Sequence, residues 1–126
     1  MTVKLKMLFL DDRSKRIHDA LKEYTKFDVT VVPNVLECLR AMAKEDYHII
    51  SLDIDLGGMD FVDPESPFSG MAVVHYLEKT GWPPEKVKPR IIIHSSNIFA
   101  ATDMERRFKK LGFRVKRTPF YYGTKV

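Results

Sequence analysis

The sequence predicts an α/β fold built on a parallel sheet, and two observations carry that prediction. Short apolar runs alternate with amphipathic stripes along the chain. That is the pattern of strand–helix crossovers, which are right-handed in such sheets. The unusual polar residues fall directly after the strand-like runs. Open parallel sheets gather their ligand groups there, outside the carboxyl ends of the strands.

A first strand runs from Lys4 to Leu10 and ends in Asp11-Asp12-Arg13. Ile17, Ala20, Leu21 and Tyr24 then recur at the spacing of one helix face. Asp28 to Val32 is a second strand, stopped by Pro33. Asn34, with Glu37 three residues later, resembles a capping box, and Val35, Leu39, Met42 and Ala43 make the next helical stripe. His48 to Leu52 is the third strand.

That strand leads into Asp53-Ile54-Asp55-Leu56-Gly57-Gly58. A buried apolar strand tolerates carboxylates badly unless they are paired or bind metal. Asp53 and Asp55 are therefore expected at its carboxyl end. A long loop from Gly57 to Ser69 follows, either a cover over the acidic residues or a plain surface insertion. Gly70 to Lys79 reads as the third helix, with Met71, Val74 and Leu77 inward, and Gly81-Trp82-Pro83-Pro84 ends it. Arg90 to His94 is the fourth strand, followed by Ser95-Ser96-Asn97. Thr102 and Glu105 form another capping-box pair ahead of Met104, Phe108 and Leu111, with Gly112 as the helix C-cap. Phe113 to Lys116 is the fifth strand. Thr118-Pro119-Phe120-Tyr121-Tyr122 follows without room for a fifth helix.

The length of 126 residues suits one domain spanning 1–126, large enough for a real core. No apolar run approaches a membrane span, and Met7 to Leu10 is too short for a signal-peptide core. A cytoplasmic protein without membrane contact is expected. The single Cys38 excludes an internal disulfide and a cysteine-based zinc site, and reads as packing. The net charge of +4 is compatible with anionic ligands, RNA included. The densest basic group is Arg106, Arg107, Lys109, Lys110, Arg114, Lys116 and Arg117. It reads either as a solvated helix face with an edge strand or as a phosphate-backbone contact surface.

In the flavodoxin-like strand order 2-1-3-4-5, the first and third strands are neighbours and the fourth lies beside the third. Asp11, Asp12, Asp53 and Asp55 then converge, with His94 and Ser95 next to them. Carboxylates this close cannot all stay ionised in isolation, so a divalent cation sits among them or one takes up a proton. Hard oxygen donors suit Mg²⁺, commonly completed by waters and phosphate oxygens. A histidine such as His94 can donate or accept a proton near neutral pH.

The element order and the placement of Asp11, Asp12 and Asp53 resemble the receiver domain of two-component response regulators. That resemblance implies Asp53 as phosphoryl acceptor and Asp11 and Asp12 as Mg²⁺ ligands. The chain departs from the receiver pattern at His94, where a hydroxyl residue ends the fourth strand, and at Thr118-Pro119, where the family has Lys-Pro. It is more similar to the divergent receiver family predicted to process cyclic phosphates. The residues that carry this are Leu10-Asp11-Asp12-Arg13, Leu52-Asp53-Ile54-Asp55-Leu56-Gly57, His94-Ser95-Ser96-Asn97 and Met104. Ile54 replaces that family's histidine between the two aspartates, and Arg13 directly follows the acidic pair.

The resulting expectation is a flavodoxin- and receiver-like three-layer sandwich with its last helix missing. Its leading function is metal-assisted hydrolysis of a cyclic phosphate on a nucleotide or RNA end. Mg²⁺ would be held by Asp12 and Asp53, with Asp11 or Asp55 in support. His94 would be general acid or base, and Arg13 would steady the phosphate. Ser95, Asn97 and Thr118 would contact phosphate or ribose. The alternative is a non-catalytic pseudo-receiver that senses a partner or a small anion, a protein partner meeting the surface left by the missing helix through Phe113, Phe120 and Tyr122. Phosphorylation of Asp53 by a kinase is a third reading.

Overall fold

The computed structural model describes residues 4–56, 63 and 65–118. Five strands and four helices alternate: β1 (Leu5–Leu10), α1 (Ser14–Glu23), β2 (Phe27–Val32), α2 (Val35–Lys44), β3 (Ile49–Leu52), α3 (Met71–Thr80), β4 (Arg90–Ile93), α4 (Ile98–Lys110) and β5 (Val115–Arg117). The strands form one parallel sheet in the order β2-β1-β3-β4-β5. This is the receiver-like, flavodoxin-like sandwich that the alternation predicts. None of the described helices is long and apolar enough to cross a membrane.

The two faces of the sheet differ. Leu8, Leu10, Ile50, Leu52, Ile91 and Ile93 point to one face and join a continuous apolar cluster. α2 adds Val35, Cys38 and Met42 to it, α3 adds Met71, Val73, Val74 and Leu77, and α4 adds Ala100, Ala101, Met104 and Phe108. Side chains alternate along a strand. Phe9, Ser51 and Ile92, paired in register, therefore point to the other face. α1 buries only Ala20 completely, and Leu21 of its predicted stripe is about half exposed at 48%.

Three local expectations need correction. Ala43 is exposed, and Cys38 takes the inward position of α2 that the stripe assigned to it. α4 begins at Ile98 and not after Thr102, because Asn97 Oδ1 accepts the Ala100 N–H at 3.2 Å and caps the helix there. Thr102 sits inside α4 and donates its hydroxyl back to Ile98 O at 2.8 Å. Phe113 lies before β5. Its ring meets Phe108 and Trp82 edge-on, with centroids 5.4 and 5.5 Å away, so it is core and not partner surface. Gly112, at φ +91°, makes that turn possible. Gly57, Gly58, Pro119, Phe120, Tyr121 and Tyr122 lie outside the described residues, so the expected last-helix surface does too.

Candidate metal and phosphate site

Strand register builds the site before any side chain is considered. Leu10 pairs with Leu52, Leu52 with Ile93, and Ile93 with Arg117. The residues that follow are Asp11, Asp53, His94 and Thr118, in one row across the carboxyl edge. Backbone bonds continue one step past the strands. Asp53 N–H donates to Leu10 O at 3.0 Å, His94 N–H to Leu52 O at 3.0 Å, and Thr118 N–H to Ile93 O at 2.9 Å. Alternation sends the first three side chains to the face of Phe9, Ser51 and Ile92.

There they form one hydrogen-bonded group. His94 Nε2 is 3.0 Å from Asp11 Oδ2, and Nδ1 is 2.7 Å from Ser51 Oγ. The ring has no exposed surface and stacks on Phe9 at 4.4 Å with the planes 4° apart. Burial lowers the His94 pKa from its ordinary value of 6.5, against the pull of Asp11, so the imidazole is neutral at pH 7. A carboxylate only accepts, so Nε2 carries the proton and Nδ1 accepts the Ser51 hydroxyl.

Asp11 is fully engaged. Oδ1 accepts the Arg13 N–H at 3.0 Å, and Oδ2 accepts from His94 and pairs with Arg16 Nε at 3.3 Å. Burial alone would raise its pKa. The His94 bond, the Arg13 amide and Arg16 together outweigh burial and hold it below the ordinary carboxylate value. Asp53 is the opposite case. Its Oδ2 is 3.3 Å from Arg16 Nη2, while Oδ1 is buried without a hydrogen-bond partner among the described residues. Burial, then the Asp11 charge, raise its pKa from 3.8 to about 7, with Arg16 opposing.

One donor atom each from Asp11, Asp53 and His94 lies within 4.8 Å of the others. Two hard carboxylates and an unsatisfied oxygen suit a small divalent cation. The His94 nitrogens are already committed, so Asp53 Oδ1 and the remaining lone pairs of the Asp11 oxygens are the available ligands. Gly70 holds the Asp53 end in place. Its N–H donates to Ile54 O at 2.9 Å, and a Cβ there would fall 1.8 Å from Asp53 O. Only glycine allows this approach.

The chain matches the model of the cyclic-phosphate processing receiver domain over residues 6–110. The chain belongs to that receiver family. Solved structures similar to this receiver include a CheY-like response regulator receiver domain from Methylobacillus flagellatus, with TM-score 0.62 and 20% identity over 93% of this chain and 86% of that one. The response regulator TrrA from Thermotoga maritima, solved with Mg²⁺ and BeF, aligns with TM-score 0.63 and 18% identity over 94% of this chain and 89% of that one. A Burkholderia pseudomallei response regulator with a phosphorylated aspartic acid, a calcium ion and citrate aligns with TM-score 0.60 and 20% identity over 94% of this chain and 62% of that one. At these identities the likeness is one of fold. No curated protein matches the sequence significantly.

The structure brings Asp11, Asp53 and His94 of this receiver together. Asp12 is half-buried beside them but outside the group whose donor atoms converge. Asp55 is buried two residues further on and accepts from Asn97 Nδ2 at 3.3 Å. Ser95 Oγ accepts the Asn97 N–H at 3.1 Å, so Ser95 and Asn97 shape the turn that carries them. Arg13 is the N-cap residue of α1, and its backbone N–H donates to Asp11 Oδ1. Thr118 extends the row at half-burial. Ile54 is fully buried in the large apolar cluster. Much of the basic group is neutralised: Arg106 and Arg107 pair with Asp103, Arg107 also with Glu78, Lys109 with Glu105, and Arg117 with Glu105.

Sequence reasoning missed Arg16 and Ser51. Each carries a sequence signal. The first turn of α1 has no acid and bears Arg16, against the preference of a helix N-terminus for negative charge. A cation placed there needs an anionic partner. Ser51 is a hydroxyl inside an otherwise apolar buried strand, and such a group needs a hydrogen bond.

Proposed function

We propose that this receiver takes up Mg²⁺ at Asp11 and Asp53 and hydrolyses a cyclic phosphate of a nucleotide or an RNA end. The observation that carries the reading is the buried Asp53 Oδ1, without a hydrogen-bond partner among the described residues, beside a second carboxylate at the carboxyl edge of the sheet. Membership of a family described as processing cyclic phosphates supports the substrate class. A Mg²⁺ ion bound there would neutralise the acids and polarise a phosphoryl oxygen.

The protein's own groups divide the remaining work. Asp53 supplies the available oxygen. Asp11 is held in one orientation and ionised by His94 Nε2–H and the Arg13 N–H. His94 has no exposed surface, so it acts as a positioning residue for Asp11 and not as a direct acid or base on substrate. Arg13 and Arg16 bring positive charge to the phosphate side of the acids. Asp55, fixed by Asn97, is the nearest second carboxylate in sequence to Asp53 for proton transfer.

A Mg²⁺-supplemented turnover screen against 2′,3′-cyclic nucleotides, cyclic dinucleotides and RNA with a 3′-cyclic end tests this. The expected result is a phosphomonoester product from one class, with turnover falling to background in Asp53→Asn. Tight binding of one compound without turnover would favour the second reading, a non-catalytic receiver-like binding module. Arg16 favours that reading, because it already compensates the acidic pair.

A further inference from the structure

Arg16 occupies the ground a metal ion would need. Its guanidinium does not fork onto one carboxylate. Nε faces Asp11 Oδ2 and Nη2 faces Asp53 Oδ2, both at 3.3 Å. One planar cation thus bridges the two acids that end neighbouring strands. Both carboxylates are essentially buried, at 0% and 1% exposure, while the Arg16 side chain keeps 15%. The bridge is a loose one. Charge-assisted N–H···O contacts are usually about 2.7–2.9 Å. Arg16 also sits in the first turn of α1, where the helix dipole disfavours positive charge. Its side chain is long and opens to solvent.

From this we infer that Arg16 is a resident counter-ion that a divalent cation displaces from Asp11 and Asp53. The inference rests on the reading of those two acids as the metal ligands. A divalent ion on Asp53 Oδ1 and Asp11 would stand beside the guanidinium held on the Oδ2 atoms, and their like charges would repel at close range in a partly desolvated site. Without metal, Arg16 balances the acids and the fold needs no ion. With metal, the guanidinium leaves along its exposed edge and stays tethered one helical turn from the site. Arg16 therefore sets how much divalent ion the site requires.

The test is calorimetric titration of metal-free full-length protein with Mn²⁺ and with Mg²⁺, for the wild type, Arg16→Gln and Arg16→Lys, with melting curves in chelator and in excess metal. Competition of this kind carries coupling on the order of tenfold. Arg16→Gln should bind metal about tenfold more tightly than wild type, with Arg16→Lys between them. Arg16→Gln should also melt below wild type in chelator and regain the difference in excess Mg²⁺. Equal or weaker metal binding by Arg16→Gln, with wild type still binding, overturns the displacement and leaves the metal-site reading standing. Absence of binding in all three proteins at millimolar metal overturns both. Arg16→Lys keeps the charge, so it gives an answer if Arg16→Gln does not fold in chelator.

Discussion

Asp11 and Asp53 end adjacent strands, share a face and share a guanidinium, yet their surroundings are opposite. Asp11 has both oxygens satisfied, by the Arg13 amide, the His94 ring and Arg16. Asp53 has a 3.3 Å contact to Arg16, the Ile54 N–H beside its carboxylate, and one buried oxygen without a hydrogen-bond partner among the described residues. The difference shows how a fold can carry two neighbouring carboxylates. One is built in as a permanent anion. The other is only partly compensated by Arg16, its charge disfavoured until a proton or a metal ion arrives.

The largest effect should come from removing the built-in anion. Asp11→Ala leaves the His94 Nε2–H buried without an acceptor and takes away half of the Arg16 bridge. Breaking a buried pair from one side costs about 3–5 kcal/mol, read as a lower midpoint in urea unfolding. An Asp11→Ala variant as stable as wild type would erase the contrast between the two acids.

Gly70→Ala should come next, at about 3 kcal/mol, because a methyl group cannot coexist with Asp53 O and the strand end must move. The displaced end carries Asp53 and leaves the Asp11–His94 pair in place. Metal affinity should therefore fall while the downfield His94 ring N–H, visible by NMR, persists.

Asp53→Asn has an effect whose size depends on pH. Folding raises the Asp53 pKa from 3.8 to about 7, so between those values the folded chain keeps a proton that the unfolded chain has lost. Its contribution to stability is thus intact in acid, declines as pH rises through that window and is lowest above it. His94, held below 6.5, acts in the other sense, and its contribution weakens as pH falls through 6.5. The difference between Asp53→Asn and wild type isolates the first effect. It should grow from pH 4 to pH 7 and stand in favour of the variant at pH 8 in chelator. A pH-independent difference would mean that Asp53 is as well compensated as Asp11.

The smallest effect is Ser51→Ala, about 1 kcal/mol, since His94 Nδ1 loses its donor while Nε2 keeps Asp11. Urea unfolding should register that loss with the Asp53-dependent part of the pH profile unchanged.

The fold was largely legible in the sequence because each strand is an apolar run closed by polar residues, and alternation with helical stripes leaves few parallel topologies. Register then carries Asp11, Asp53 and His94 into one row, so their convergence was legible too. The partnerships were not. Thr102-x-x-Glu105 has the form of a capping box, but Asn97 reaches the Ala100 amide first and starts α4 a turn earlier. Phe113 has strand-like neighbours, yet the pocket between Trp82 and Phe108 holds it outside β5. Whether His94 faces ligand or core depends on Ser51, Phe9 and Asp11 being within reach, and only the packed sheet supplies that. Arg16 was not legible as a site residue because it lies on the helix that follows the acids, outside the motif.

The most direct test of the central claim is Mn²⁺ binding to the metal-free protein, followed by electron paramagnetic resonance, for wild type and Asp53→Asn side by side. Wild type should bind one Mn²⁺ per chain, displaceable by Mg²⁺, and Asp53→Asn should lose it at unchanged fold. Mn²⁺ bound equally by both proteins, or by neither, would contradict that claim.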